Sequence, residues 1–193
     1  VQRIADFIAG IDGKAKRRLW QRYLDALSPE ATRHWSDLLS SLPGDAWSNL
    51  RTSTLQQIDQ RDPMRGWPQA LDRFNEVRAF VYLQKIGCTD IEFALTSMAT
   101  RGPDLIALRD GKKIACEVKT VHLKAGSIHL TRKLASRLLD AKAQASMIDA
   151  SEAYIFLIAT GADMAAVRAA IDVSTLLPCR LVVDCGGTIE TFN

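Results

Sequence analysis

Two kinds of hydrophobic pattern divide the chain. Over about the first 60 residues, apolar side chains recur every three or four positions, the spacing of helices with one buried face. In GKAKRRLWQRYLDAL, Leu19, Tyr23 and Leu27 share a row, with Trp20 and Leu24 beside it. SPEATRHWSDLLSSL predicts a second helix, with Ser28 as N-cap and Pro29 at the first helical position, and Pro43-Gly44 stops it. DAWSNLRTSTLQQI predicts a third, and DQRDPMRGWP reads as a polar connector. From Pro68 to Gly87 one long helix is predicted, with Leu71, Phe74, Val77, Val81 and Tyr82 on its apolar face.

Beyond that helix the period changes. CTDIEFAL predicts a short strand, and RGPDLIALRDGKKIACEVKT a strand pair. IHLTRKLASRLLDAKAQASMI has the pattern of an amphipathic helix. AYIFLIAT and CRLVVD are continuous apolar runs of buried strands, separated by the short helix DMAAVRAAI, and GGTIETFN adds an edge strand. The order from residue 68 is therefore α-β-β-β-α-β-α-β. It predicts an α/β fold: a mixed sheet core flanked by helices over 67–193, with a helical N-terminal segment over 1–66.

Composition narrows this picture only a little. The 193 residues are 47% hydrophobic and 24% charged, ordinary for a globular protein and ample for a core. No apolar run approaches the ~20 residues of a membrane helix, and VQRIADFIAG lacks the apolar stretch of a signal peptide. A cytoplasmic protein without a membrane partner is expected. Cys88, Cys116, Cys179 and Cys185 form no C-x-x-C pair, which favours reduced thiols over a zinc site. The net charge of +3 neither demands nor excludes nucleic acid, so the placement of the cations matters more than their sum.

The strand pair carries the candidate chemistry. Asp110-Gly111 is a two-residue hairpin signal. A turn there pairs Arg109 with Lys112, and the same register sets Asp104 opposite Glu117. Lys119, two residues on, shares their face. Leu105, Ala107, Ile114, Cys116 and Val118 form an apolar set on the other. Two carboxylates directly opposed across a ladder repel, unless a hard cation such as Mg²⁺ lies between them. A nearby lysine can then hold a water or offset charge developing on a phosphate.

Pro103-Asp104 with Glu117-Val118-Lys119 resembles the PD-(D/E)XK motif of the restriction-endonuclease-like nuclease superfamily, and the α-β-β-β-α-β order of residues 68 to about 160 is similar to that family's core. The resemblance implies a metal-dependent nuclease that hydrolyses DNA phosphodiester bonds by a metal-activated water, with Mg²⁺ or Mn²⁺ as cofactor. It implies Asp104 and Glu117 as metal ligands, joined by the Val118 carbonyl, with Lys119 assisting the water. Glu76, in RFNEVRAF on the preceding helix, matches a further acid of that site by type and order. Gln144, on the later helix, matches a residue that related nucleases place near the scissile phosphate. The resemblance also admits a homodimer, since many such enzymes cut duplexes as pairs. DNA is the expected partner; whether RNA serves instead, and what structure the substrate has, stay open.

Lys124, Arg132, Lys133 and Arg137 flank the motif in sequence and are the candidate nucleic-acid contacts. Lys14, Lys16, Arg17 and Arg18 could follow a phosphate backbone, but a charge run on a helix is more often a solvated face, and that reading is preferred. His122, His129 and the four tryptophans read as surface and packing residues. A non-catalytic nucleic-acid- or protein-binding module retaining the nuclease fold is the alternative function. A small-molecule α/β enzyme finds no support, because the chain has neither a Gly-rich phosphate loop nor a nucleophile elbow.

Overall fold

Helical periodicity in the first part of the chain and strand runs in the second give an α/β protein with seven α-helices and a six-stranded mixed sheet among the described residues. The computed structural model describes residues 2–25, 28–60, 63–94, 102–122, 130–161 and 163–192, with the side chains of 23, 31, 57, 59–60, 63–71 and 130–133 left aside. The chain forms two compact units, Val1–Val81 and Tyr82–Asn193.

The first unit is helical: α1 (Gln2–Gly10), α2 (Lys14–Asp25), α3 (Pro29–Ser40), α4 (Gly44–Gln60) and most of α5 (Pro63–Lys85). Its core is aromatic. Phe7 meets the edges of both Trp20 and Phe74, with ring centres 5.2 and 4.9 Å apart, a geometry that adds to simple burial. Arg3 donates to the carbonyls of Leu39 and Leu42, a cation placed at the C-terminal end of α3, where the helix dipole favours positive charge. Gly10 makes room for the Arg51 guanidinium, which a Cβ there would overlap; Arg51 donates to the Asp6 carbonyl. Gln2–Gly10 forms a helix in its own right, within the part of the chain read as helical. One expectation changes here. The connector assigned to DQRDPMRGWP is helical from Pro63 onward, so α5 begins five residues before Pro68. Pro63 takes the first helical position, where its missing N–H costs nothing.

The second unit contains the end of α5 and the sheet. Its strands are β1 (Thr89–Phe93), β2 (Leu105–Arg109), β3 (Lys112–His122), β4 (Glu152–Thr160), β5 (Arg180–Cys185) and β6 (Thr188–Phe192), in that spatial order. β1, β2 and β3 pair antiparallel, β3, β4 and β5 run parallel, and β6 closes the sheet antiparallel to β5. The parallel steps need crossovers. α6 (Leu130–Ala145) provides one; α7 (Met164–Ala170) and a 3-10 turn (Val173–Leu176) provide the other.

All three cover the same face. Leu134, Leu138, Ala141 and Ala145 of α6, with Val167 and Leu176, pack on Val121, Ile155, Leu157, Ala159, Leu181 and Val183. On the opposite face Tyr82, at the end of α5, packs against Phe156 with ring centres 5.6 Å apart. Burial on both faces explains why β4 and β5 read as unbroken apolar runs. At the end of the sheet where β4 and β5 begin, Arg109 donates to Tyr154 Oη and Glu152, at 2.8 and 2.5 Å. Arg109 and Arg180 both stand over the Tyr154 ring at 5.8 Å, so one aromatic and one carboxylate tie β2, β4 and β5 together across β3.

Leu157 is fully buried between the sheet and α6, whereas Leu139 on the outer side of α6 is 51% exposed. Leu157→Ala should therefore cost about 2–5 kcal/mol in urea denaturation, and Leu139→Ala less than about 0.5 kcal/mol.

Candidate metal centre

The hairpin forms at the expected turn. Asp110 and Gly111 both adopt positive φ, 52° and 73°, the conformation a two-residue type I′ turn requires. The ladder pairs Arg109 with Lys112 and continues to Leu105 with Cys116. One further step of that register brings Asp104, in the bend just before β2, opposite Glu117.

Asp104 does more than face Glu117. Its Oδ2 accepts a hydrogen bond from the Val118 backbone N–H at 2.8 Å. β2 begins only at Leu105, so this carboxylate takes the place of a strand at the point where β3 loses its antiparallel partner. The N–H and C=O of one strand residue leave on the same side. The Val118 carbonyl is thus turned to the side from which Asp104 reaches.

Glu117 is 1% exposed. It pairs in register with Ile155, as Lys119 does with Leu157 and Val121 with Ala159, so its side chain lies on the face that α6 covers. Lys119 Nζ donates to Glu117 Oε1 at 2.5 Å and to Gln144 Oε1 at 2.6 Å. Gln144 comes from α6, whose buried row turns it toward the sheet. The other oxygen, Glu117 Oε2, is buried without a hydrogen bond.

Burial, and then the charge of Asp104, push the Glu117 carboxyl up to about 8, against the opposing pull of Lys119. Two ionised carboxylates offer each other no donor. The pair is satisfied only when a proton or a cation lies between them.

A divalent cation fits these residues. The buried Oε2 that lacks a donor, the second carboxylate beside it and the Val118 carbonyl are all hard oxygen ligands. Among the described residues no group of three or more His, Cys, Asp or Glu side chains could hold a metal ion. The protein's share of a shell here would be small, which suits Mg²⁺, an ion that keeps several waters and completes its shell with substrate oxygens.

The structure thus brings together Asp104, Glu117, Val118, Lys119 and Gln144. Glu76 lies in the helical unit, 4% exposed, where it forms an ion pair of 2.8 Å with Arg73, which also donates to Ser53 at 3.0 Å. His122 is exposed, on the opposite face from Lys119, with its Nδ1 3.1 Å from Thr160 Oγ1. Lys124 and His129 lie outside the described residues. Arg132 and Lys133 stand in the first turn of α6, with side chains outside the description. The bond from Asp104 to the Val118 N–H has no signal in the residue pattern: alternation gives the face of a side chain, not whether it reaches a neighbouring main chain.

Comparison with family models, with curated proteins and with solved structures finds no match to this chain. Among the described residues no helix is long and apolar enough to cross a membrane.

A carboxyl whose folded pKa is raised has its full stability below the unfolded value, here 4.5, and loses it as pH climbs toward about 8. With divalent ions chelated, the Tm of Glu117→Gln minus that of the native chain should rise between pH 5 and pH 8. Added Mg²⁺ should shrink that difference at pH 8. A difference that stays flat across the range would mean that Glu117 titrates as an ordinary carboxyl.

Proposed function

We propose that this protein is a metal-dependent nuclease with a restriction-endonuclease-like core, acting on DNA phosphodiester bonds with Mg²⁺ or Mn²⁺. The observation that carries the reading is the meeting of Asp104 with Glu117 across the hairpin, on a buried carboxylate that Lys119 already contacts. The element order α5-β1-β2-β3-α6-β4 supports the fold assignment, since it sets the acid pair on a hairpin and Gln144 on the helix that follows.

Each residue then has a separate task. Asp104 and Glu117 hold the cation, and the Val118 N–H fixes the direction of the Asp104 carboxylate. When bound, the cation supplies a water of lowered pKa and a counter-charge for the phosphate. Lys119 stands on the open side of Glu117 and places an ammonium where phosphate charge would develop. Gln144 accepts from Lys119 and so limits where that ammonium can swing. Its amide NH₂ remains as a donor for a substrate oxygen.

The decisive variants are Asp104→Asn and Lys119→Met. Asparagine keeps an acceptor for the Val118 N–H, which alanine would leave without this partner, at about 1–3 kcal/mol if buried. Asp104→Asn should lose Mn²⁺ binding in calorimetry and lose cleavage, with the fold retained. Lys119→Met should keep the metal and lose about 10²–10³ in rate. Assays on linear, nicked, branched and single-stranded DNA would define the substrate. Absence of metal-dependent cleavage on all four, together with Mn²⁺ binding unaltered by Asp104→Asn, would leave a non-catalytic binding module as the function.

A further inference from the structure

The helix α2 concentrates the positive charge of the chain. Lys14, Lys16, Arg17, Arg18 and Arg22 stand against one acid, Asp25, a net of +4. The whole chain carries +3, so everything outside α2 sums to −1. The charge is also ordered in space. Lys14, Arg18 and Arg22 are spaced i, i+4, i+8 and all three are exposed, with Arg17 exposed beside them. Such a row rises about 6 Å per step along the helix.

Solvation alone accounts poorly for this ridge. Like charges at i, i+4 destabilise a helix by about 0.2–0.5 kcal/mol per pair. Several arginines elsewhere are neutralised by acids: Arg73 by Glu76, Arg109 by Glu152, Arg168 by Glu190. The side chains of Lys14, Arg17, Arg18 and Arg22 make no ion pair among the described residues, and Asp25 accepts instead from Gln21 at 2.8 Å. On its inner side the helix is anchored by Trp20, 2% exposed and set edge-on against Phe7. The ridge is thus a row of unneutralised cations on a fixed axis, which gains from a partner carrying regularly spaced negative charge.

We propose that the outer face of α2 is a docking surface for the phosphate backbone of duplex DNA. The choice of DNA as the polyanion rests on the reading of the Asp104–Glu117 site given above; the ridge itself does not. One DNA strand offers a phosphate every 3.4 Å of axis, so a row about 12 Å long, carried on flexible arms, spans several of them. An anionic membrane is the lesser fit. A helix that lies on lipid buries a broad apolar face in the headgroup region; the largest apolar side chain of α2, Trp20, is turned into the helical unit's own core, and Leu19 alone is an exposed large hydrophobic on this helix among the described residues. Contacts of this kind position a protein on DNA without reading its sequence.

The test uses the full chain and a fluorescein-labelled 20-base-pair duplex, with EDTA present so that binding is read without cleavage. Anisotropy titrations at several NaCl concentrations give the affinity and its salt slope. For the triple variant Lys14→Ala, Arg18→Ala, Arg22→Ala, affinity should fall by about ten-fold or more. Its log–log slope should be shallower by about 2–3, since each neutralised phosphate contributes about 0.9. Arg18→Lys with Arg22→Lys should keep the slope, because charge is conserved. If the triple variant does not fold, Arg18→Glu alone reads the same dependence. Affinity and slope equal to the native chain's would overturn the proposal. So would tighter, ridge-dependent binding of an RNA duplex, or a loss seen only with phosphatidylserine vesicles.

The duplex titrations are read in EDTA and cleavage is read with the metal present, which separates the two claims. If the ridge governs binding and no substrate is ever cleaved, the nuclease reading falls and the ridge stands. If cleavage is found while the triple variant binds normally, the ridge alone falls.

Discussion

A carboxylate held in the interior beside a second carboxylate is the constraint around which the α/β unit is arranged. Glu117 cannot relieve the repulsion by moving. β3 is fixed to β4 by an unbroken parallel ladder from Ile114–Glu152 to His122–Thr160, and α6 covers the face on which Glu117 lies. Its neighbours take up the charge instead. Asp104 is held by the Val118 N–H, Lys119 reaches back to Glu117, and Gln144 restrains Lys119 from above. Left without a cation, this pocket favours a proton on Glu117. The apolar packing of β4 and β5 against α6 and α7 supplies the stability that lets so unfavourable a pair persist.

The two styles of strand pairing in the sheet have different tasks. The antiparallel half fixes register, because a two-residue turn permits only one alignment of β2 on β3. The parallel half creates the need for α6, and with it the cover over Glu117 and the amide of Gln144. β3 belongs to both halves, and the acids and the lysine sit on β3 or directly beside it. At the other end of the sheet, Arg109, Glu152, Tyr154 and Arg180 bind the strands across β3, which restrains the hairpin from sliding relative to β4.

Much of this was legible in the residue pattern, for identifiable reasons. Asp110-Gly111 is a strong local signal, and once the turn is placed the opposition of Asp104 and Glu117 follows by counting. β4 and β5 announce themselves as apolar runs because both of their faces are covered. The row Leu134, Leu138, Ala141, Ala145 determines where Gln144 points, yet that row is recognisable as the buried one only when the sheet is in place. The start of α5 was obscured by Pro68 and Gly66, residues that ordinarily mark a connector, with Pro63 upstream as the better helix start. α1 is not distinguished from the general helical character of the N-terminal part, since only two residues, Ile11 and Asp12, separate Gly10 at its end from Gly13 before α2. The ridge on α2 is visible in the sequence as a charge run but not as a ridge: its weight comes from the lack of acidic partners for Lys14, Arg17, Arg18 and Arg22 among the described residues, which spacing along the chain does not report.

The tight turn at Asp110-Gly111 has a bearing on how such a site can change over generations. Loops on the outside of a fold usually accept insertions and deletions freely. Here a single added or lost residue in the turn would move β2 by one step against β3, and Asp104 would trade its place opposite Glu117 for one on the other side of the sheet. Two positions far from the acids in space, with no chemical part of their own, therefore set the permitted length of the gene at that point. Substitutions can accumulate in the hairpin while its length stays frozen, so a count of residues between Asp104 and Glu117 would outlast most of the residues themselves.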